Sequence, residues 1–188
     1  KLSRTGHTSW TLADVAFTNG PYLDVNTTTT TLTPSSASTG SRNITASAVT
    51  GINDDQGWLT SDVGRILKFN SGEAKITSRT NSTVVVATVT KAFTNANAIK
   101  EWQLGSWSAT TGYPRTVSFF EQRLVFGGST YYPQTIWASQ SGLYEDFDAG
   151  DGSAADGFIY TIAANKVNEK KLENFLIDLK MMHILHQT

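Results

Sequence analysis

The chain has 188 residues, a formal net charge of −1 at pH 7 and no cysteine. The lack of cysteine excludes disulfides, thiolate catalysis and metal sites built on cysteine ligands. The near-zero charge leaves no excess of positive charge to attract phosphates or anionic lipids, so we expect no sequence-specific binding to nucleic acid.

Neither a membrane span nor an export signal is indicated. No apolar run approaches the roughly 18 to 20 residues that span a bilayer, and the first ten residues are too polar for the core of a signal peptide. We therefore expect no membrane insertion and no secretion by a signal peptide. The composition is rich in Thr, Ser, Val and aromatic residues, with 15 glycines and only 16% charged residues. Such a composition favours strands and turns, so the predicted fold is mainly β.

Residues 1–33 are predicted to be an N-terminal arm followed by a Thr-rich linker. Trp10, Leu12 and Phe17 indicate a peripheral strand or arm. Residues 26–40 are almost all Thr, Ser and Pro, a composition that favours extended or flexible backbone. We interpret this stretch as a linker that leads into a new unit.

Residues 34–98 are predicted to form a small β-barrel or sandwich, because short apolar runs alternate with turn signals. Asn and Gly in the turns at 70–72 and 80–82 tolerate the positive φ of tight hairpins. The run Val84-Val85-Val86 suits a strand that is buried on both faces. The predicted strands are residues 43–48, 64–69, 74–79 and 83–90.

Residues 99–165 are predicted to be a second β-rich segment, and residues 166–188 a helix. The predicted strands are residues 116–120, 123–126, 135–139 and 158–163. Only Glu121 and Gln122 separate the first two, which favours an antiparallel hairpin. In the last segment, apolar residues recur at helical spacing and predict an amphipathic helix; they are Leu172, Phe175, Leu176, Leu179, Met182 and Leu185.

Few residues suggest catalysis or metal binding. Asp146, Asp148, Asp151 and Asp156 lie in a Gly-rich stretch and could supply oxygen ligands to Ca²⁺, but they lack the Gly and final Glu positions of the helix-flanked calcium loop. We favour a solvated turn. His183 and His186 are three residues apart, with no evident third ligand. Neither a Gly-x-Ser-x-Gly elbow nor a phosphate-binding loop is present. The sequence therefore predicts no enzyme, no cofactor and no catalytic or metal-binding residues.

An aromatic set leaves a second function open. Tyr131, Tyr132, Trp137 and Tyr144 could form a platform that stacks on sugar rings. Aromatic residues also dominate the cores and interfaces of β-proteins, and we favour packing. The alternative is a carbohydrate- or receptor-binding module with a glycan as partner.

Residues 112–147 carry an ordered series of motifs: Gly-Tyr-Pro-Arg at 112–115, Phe-Phe-x-x-Arg-Leu-Val-Phe-Gly at 119–127, and Ile-Trp-x-Ser at 136–139. With these motifs the chain resembles the tail nozzle, or tail tubular B-type, proteins of short-tailed phages and prophages. The matching residues are Gly112, Pro114, Arg115, Phe119, Arg123, Phe126, Pro133, Trp137, Ser139, Gly142, Tyr144 and Phe147. The resemblance implies strands like those of a propeller blade in residues 99–165. It also implies a structural role in an oligomeric tail, whose partners are copies of this chain and other tail or connector subunits.

An upstream segment is similar to a small β-domain that is often inserted into these phage proteins. That domain is named after the first catalytic cysteine half of ubiquitin-activating enzymes. Asp62, Gly64, Arg65 and Ile76 carry the similarity. Since this chain has neither cysteine nor an adenylation motif, the similarity implies no ubiquitin-like activation.

The motif residues have physical roles as scaffolding. We expect Pro114 to fix extended backbone and Arg123 to hydrogen-bond carbonyls at a blade end. We expect Trp137 and Phe147 to fill the wedge between sheets. The resemblance fades after residues 163–165, so we expect a truncated prophage remnant. The expected location is the virion tail, or the host cytoplasm when the chain is expressed from a prophage.

Overall fold

The computed structural model describes residues 2–13, 15, 17–150 and 152–162. The helix predicted over 166–188 lies outside these residues, as do His183, His186 and Asp151. The described part of the chain is mainly β, as predicted, and contains no α-helix. A short 3-10 turn covers Thr60–Asp62. None of the described helical structure is long and apolar enough to cross a membrane.

The described chain begins with a small antiparallel hairpin. Strand β1 (Leu2–Arg4) pairs with β2 (Trp10–Leu12). Trp10 and Leu12 are exposed, so this hairpin adds little to the core.

A six-stranded antiparallel sheet forms the larger part of the fold. Its strands are β3 (Leu32–Pro34), β4 (Gly40–Ala46), β5 (Ile66–Phe69), β6 (Gly72–Arg79), β7 (Val84–Lys91) and β8 (Trp102–Leu104). They pair in the order β3-β4-β7-β6-β5-β8, and the sheet curls into half a barrel. It spans residues 32–104 and so crosses both unit boundaries predicted at residues 33 and 98.

The core lies on one face of this sheet. Along β7, Val85, Ala87 and Val89 are buried, whereas the residues between them are more exposed. The expectation that residues 84–86 are buried on both faces was therefore wrong, because Val84 and Val86 are only partly buried. This alternation is typical of an antiparallel sheet that packs on one side. The same core contains Leu32, Ile44, Ile52, Trp58, Leu67, Phe69, Ile76, Phe93, Trp102 and Leu104.

The middle of residues 26–40, the stretch interpreted as a linker, is a strand rather than a linker. Leu32 and Pro34 are buried in β3, which pairs with β4. The Asn26 side chain orders the preceding turn, since its Nδ2 donates to the carbonyls of Thr30, at 3.1 Å, and Lys100, at 3.0 Å. Thr is itself a good strand residue, so a Thr-rich stretch is compatible with a strand as well as with a linker.

The second sheet has four antiparallel strands in chain order. They are β9 (Thr116–Phe120), β10 (Arg123–Gly127), β11 (Thr135–Ala138) and β12 (Phe158–Thr161). The strands predicted here are confirmed, although residue 163, the predicted end of the last one, lies outside the described residues. Glu121 and Gln122, with φ of 46° and 59°, form the two-residue turn of the predicted hairpin. Positive φ at both turn residues matches the twist of the strands that they join.

Candidate functional site

Arg123 ties the four-stranded sheet to the loop that follows β11. Its side chain is almost buried, and its Nη1 donates to the carbonyl oxygens of Ser139, at 2.5 Å, and Asp156, at 2.6 Å. Its Nη2 donates to the carbonyl of Ala154. The planar guanidinium holds several donors in a fixed fork, which suits this arrangement. The predicted hydrogen bonds from Arg123 to carbonyl groups are therefore present.

Five aromatic rings pack against the middle of the same sheet. This aromatic cluster consists of Phe17, Trp107, Phe126, Trp137 and Phe147. Trp107 meets Phe126 at a ring-centroid distance of 4.9 Å and Trp137 at 5.7 Å, both edge to face. Trp137 and Phe147 are buried. Their expected position in a wedge between sheets stays a prediction. Phe17 and Trp107 complete the cluster, and no local sequence pattern predicted their participation.

The remaining residues of the 112–147 motifs lie at turns and strand ends. Gly112 has φ of 80°, and a Cβ there would lie 2.9 Å from the backbone nitrogen of Thr130. The Ser139 hydroxyl accepts from the backbone N–H of Leu124 at 2.9 Å. Tyr144 packs edge to face on Phe119 at 5.3 Å. Pro114, Arg115, Pro133 and Gly142 occupy the connecting loops.

Both outer strands of this sheet present large apolar side chains to solvent. Every residue of β9 and β12 is exposed, and within the described residues neither strand is paired along its outer side. We call these two strands the bare edges. Their apolar residues, with the exposed fraction of each, are Val117 (62%), Phe119 (68%), Phe120 (37%), Phe158 (45%), Ile159 (40%) and Tyr160 (57%).

The four residues of the upstream motif come together around a buried ion pair. Nη1 of Arg65 lies 3.1 Å from Oδ1 of Asp62, and both side chains are almost completely buried. Gly64 and Arg65 pair with Ile76 through backbone hydrogen bonds of 2.8 and 2.9 Å. The motif therefore places a charged pair at the end of the six-stranded sheet.

Asn53 and Thr110 complete the hydrogen bonding of this pair. The amide of Asn53 donates to Oδ2 of Asp62 at 2.6 Å and accepts from Nη1 of Arg65 at 2.7 Å. The Thr110 hydroxyl donates to Oδ1 of Asp62 at 2.7 Å. Sequence reasoning missed both residues, which are 9 and 48 positions from Asp62. Burial lowers the pKa of Arg65, and the Asp62 carboxylate opposes that effect.

A cavity of about 160 Å³ opens beside Arg65. It lies where the segment before β3, the loop before β5, the segment after β8 and the β10–β11 connection meet. Tyr131 and Tyr132 line it on one side, and their rings meet edge to face at 5.2 Å. Burial raises the pKa of Tyr132, while the charge of Arg65 partly offsets that rise.

The aspartates of residues 146–156 are engaged in local contacts. Asp146 accepts from Nδ2 of Asn19 and from the backbone N–H of Asp148. Asp156 accepts from the backbone N–H of Ser153 at 2.7 Å, and Asp148 lies 3.7 Å from Nζ of Lys68. Among the described residues, no three His, Asp or Glu side chains are arranged to hold a metal ion.

The four-residue aromatic platform considered from the sequence does not exist as a continuous surface. Trp137 is fully buried in the aromatic cluster. Tyr144 packs on Phe119 at the β9 edge, whereas Tyr131 and Tyr132 line the cavity. Trp137 lies on the packed face of β11, whereas the three tyrosines lie in loops and turns outside the strands.

No known protein family model matches the chain, and no curated protein is significantly similar to it. The resemblance drawn from the motifs at 62–76 and 112–147 therefore stays a prediction.

Proposed function

We propose that this chain is a structural subunit of a phage or prophage tail and that it assembles through its β-surfaces. The observation that carries the proposal is the pair of bare edges on the sheet that bears the 112–147 motifs. Exposed, unpaired strands with large apolar side chains are templates for pairing with another chain, and natural monomers usually protect them. A four-stranded antiparallel sheet is also the unit of a propeller blade, the architecture that the resemblance implies.

The exposed side chains make an interface between copies energetically reasonable. Fully burying one large apolar side chain contributes about 1.5–3 kcal/mol, so covering six that are about half exposed contributes about 5–9 kcal/mol. Association costs about 4–15 kcal/mol in lost freedom of motion. A single contact is therefore weak, and backbone pairing or closure into a ring is needed to make it stable.

The arrangement of the edges favours head-to-tail assembly. β9 and β12 lie on opposite sides of the sheet, so β9 of one copy is free to pair with β12 of the next. Such a heterologous contact closes into a ring when the rotation permits it. The proposed partners are copies of this chain and adjoining tail or connector subunits, in the virion tail or, before assembly, in the host cytoplasm.

Two edge variants test this arrangement. Phe119→Lys places a charge on the β9 edge and Tyr160→Lys places one on the β12 edge, and Val63→Lys is the control at an exposed apolar site outside this sheet. In sedimentation velocity, we expect the unmodified chain and Val63→Lys to form oligomers that grow with concentration. Each edge variant alone should be monomeric. An equimolar mixture of the two should give one-to-one dimers, since one intact β9 can still meet one intact β12.

The oligomeric states of these variants distinguish head-to-tail assembly from other modes of pairing. Dimers of Tyr160→Lys alone would indicate pairing of β9 with itself and would contradict the head-to-tail arrangement. An unmodified chain that stays monomeric at every concentration would refute assembly through this sheet. The phage context has its own test: portal, head and tail genes should flank the coding sequence, and their absence would count against it.

A further inference from the structure

The cavity beside Arg65 has the size and position of a small ligand site. Four segments that are separate in sequence build it, represented by Leu23, Asn53, Thr110 and Tyr131. Its volume of about 160 Å³ is about tenfold more than one water molecule needs and is smaller than the roughly 300 to 1,000 Å³ of sites that enclose a drug-sized ligand. The cavity therefore has room for one small organic ring or the end of a longer chain.

Several polar groups around the cavity have unused hydrogen-bonding capacity. Arg65 uses Nε and Nη1 for its protein contacts, and its Nη2 makes no hydrogen bond within the described residues although the side chain is only 1% exposed. The side chains of Asp54 and Gln56 and the hydroxyl of Tyr131 also line the cavity or its rim and bond to no described residue. Together they offer both donors and acceptors.

The charge around the cavity argues against an anion. The Asp62 carboxylate already balances the charge of Arg65, with Oδ1 3.1 Å from Nη1. Asp54 adds a further negative charge at the rim of the cavity. Leu23, Leu104 and the two tyrosine rings supply apolar surface. A neutral ring with an apolar face and several hydroxyl groups satisfies all these features, because aromatic rings pack on its C–H face while planar polar groups bond its hydroxyls.

We propose that this cavity binds a neutral saccharide unit, with Tyr131 packing on the sugar ring and Asp54, Gln56 and Arg65 bonding its hydroxyls. This binding is separate from tail assembly, since no residue of the bare edges lines the cavity. Failure of sugar binding would therefore leave the proposed structural role untouched, and failure of assembly would leave the sugar site untouched.

The loop that carries Asp54 is held in place before any ligand arrives. Asn53, Asp54 and Asp55 have φ of 51°, 52° and 63°, an unusual left-handed run for residues other than glycine. The loop is tied by the Asp55 carboxylate, which accepts from the backbone N–H of Gly51 at 2.7 Å, and by the Asn53 amide, which donates to Gly57. A site that is ordered in advance loses less freedom on binding.

The experiment is titration of the full chain, labelled with ¹⁵N, with four neutral sugars: glucose, galactose, mannose and N-acetylglucosamine. Inorganic phosphate and acetate serve as anionic probes. We expect millimolar binding of at least one sugar, with amide shift changes at Gln56, Thr111 and Tyr131. Tyr131→Ala should weaken that binding by about tenfold or more, as loss of a central aromatic contact usually does. Tyr113→Ala, at a tyrosine that is similarly exposed but away from the cavity, should leave it unchanged.

Gln56→Ala is a second variant that removes a polar contact without touching the rings or the buried ion pair. It should also weaken the same sugar while the thermal unfolding midpoint stays the same. The proposal is overturned if none of the four sugars shifts the cavity amides, if phosphate or acetate shifts them instead, or if Tyr113→Ala weakens binding as much as Tyr131→Ala does.

Discussion

Replacing Arg123 with alanine should destabilise the four-stranded sheet more than any surface substitution in its neighbourhood. The guanidinium donates to the carbonyls of Ser139, Ala154 and Asp156, which belong to the chain between β11 and β12. Its aliphatic stem is almost buried. The substitution therefore removes the contacts that hold this loop against the start of β10.

The expected loss of stability depends on whether the three carbonyls that accept from Arg123 can bond water instead. A hydrogen bond to a charged group contributes about 1.5–3 kcal/mol. Ala154 is exposed and Asp156 is partly exposed, so their carbonyls can bond water after the substitution. The Ser139 residue is fully buried, and its carbonyl loses a partner that water cannot easily replace. We expect the free energy of unfolding to fall by about 2–4 kcal/mol.

Urea unfolding followed by tryptophan fluorescence measures this loss. Arg123→Lys should keep about half of the lost stability, because an ammonium group can bond one or two of the carbonyls but lacks the planar fork. Arg115→Ala is the control, since that arginine is exposed, and it should change stability by less than about 0.5 kcal/mol. If Arg123→Ala changes stability no more than Arg115→Ala does, the tie between β10 and the loop has no energetic importance.

Two further predictions concern buried ionisable groups. Asp62→Ala leaves the buried Arg65 charge without its partner and should lower the free energy of unfolding by about 3–5 kcal/mol in the same urea assay; an effect as small as that of Asp24→Ala, at an exposed aspartate, would contradict this. Burial and the hydrogen bond to Glu73 raise the pKa of Tyr22 above its ordinary value, so the folded chain holds that proton more tightly than the unfolded chain. The resulting stability is complete below about pH 10 and falls as the pH rises toward the folded pKa, by up to about 1.4 kcal/mol per pH unit. Tyr22→Phe should flatten this alkaline slope of the free energy of unfolding, and an unchanged slope would show that Tyr22 does not cause it.

Local patterns predicted the second sheet well. A two-residue connection at Glu121 and Gln122 leaves little choice but a hairpin, and β9 and β10 follow from it. The donor count of Arg123 made carbonyl contacts a natural expectation. Trp137 is too large and apolar to be left exposed in a strand with a packed face, so its burial also follows from its residue type.

Features that depend on distant pairing could not be predicted in the same way. Strand β3 has only Leu32 and Pro34 to distinguish it from the surrounding Thr-rich stretch, and its burial depends on β4 and Ile99. Asn53 and Thr110 are ordinary polar residues until the fold places them beside Asp62. The cavity needs four separate segments to meet, and no short sequence window contains that information.

The participation of Phe17 in the aromatic cluster also has a consequence for folding during synthesis. Thr18 pairs with Asp146, and its backbone N–H donates to the carbonyl of Glu145, 127 positions later in the chain. At about 5–20 residues per second, Phe17 is made about 7 to 26 s before Phe147. During that interval Phe17 lacks its contact with Phe147, and contacts of such long sequence separation form slowly. The four-stranded sheet can complete its packing only after nearly all of the described chain has been translated.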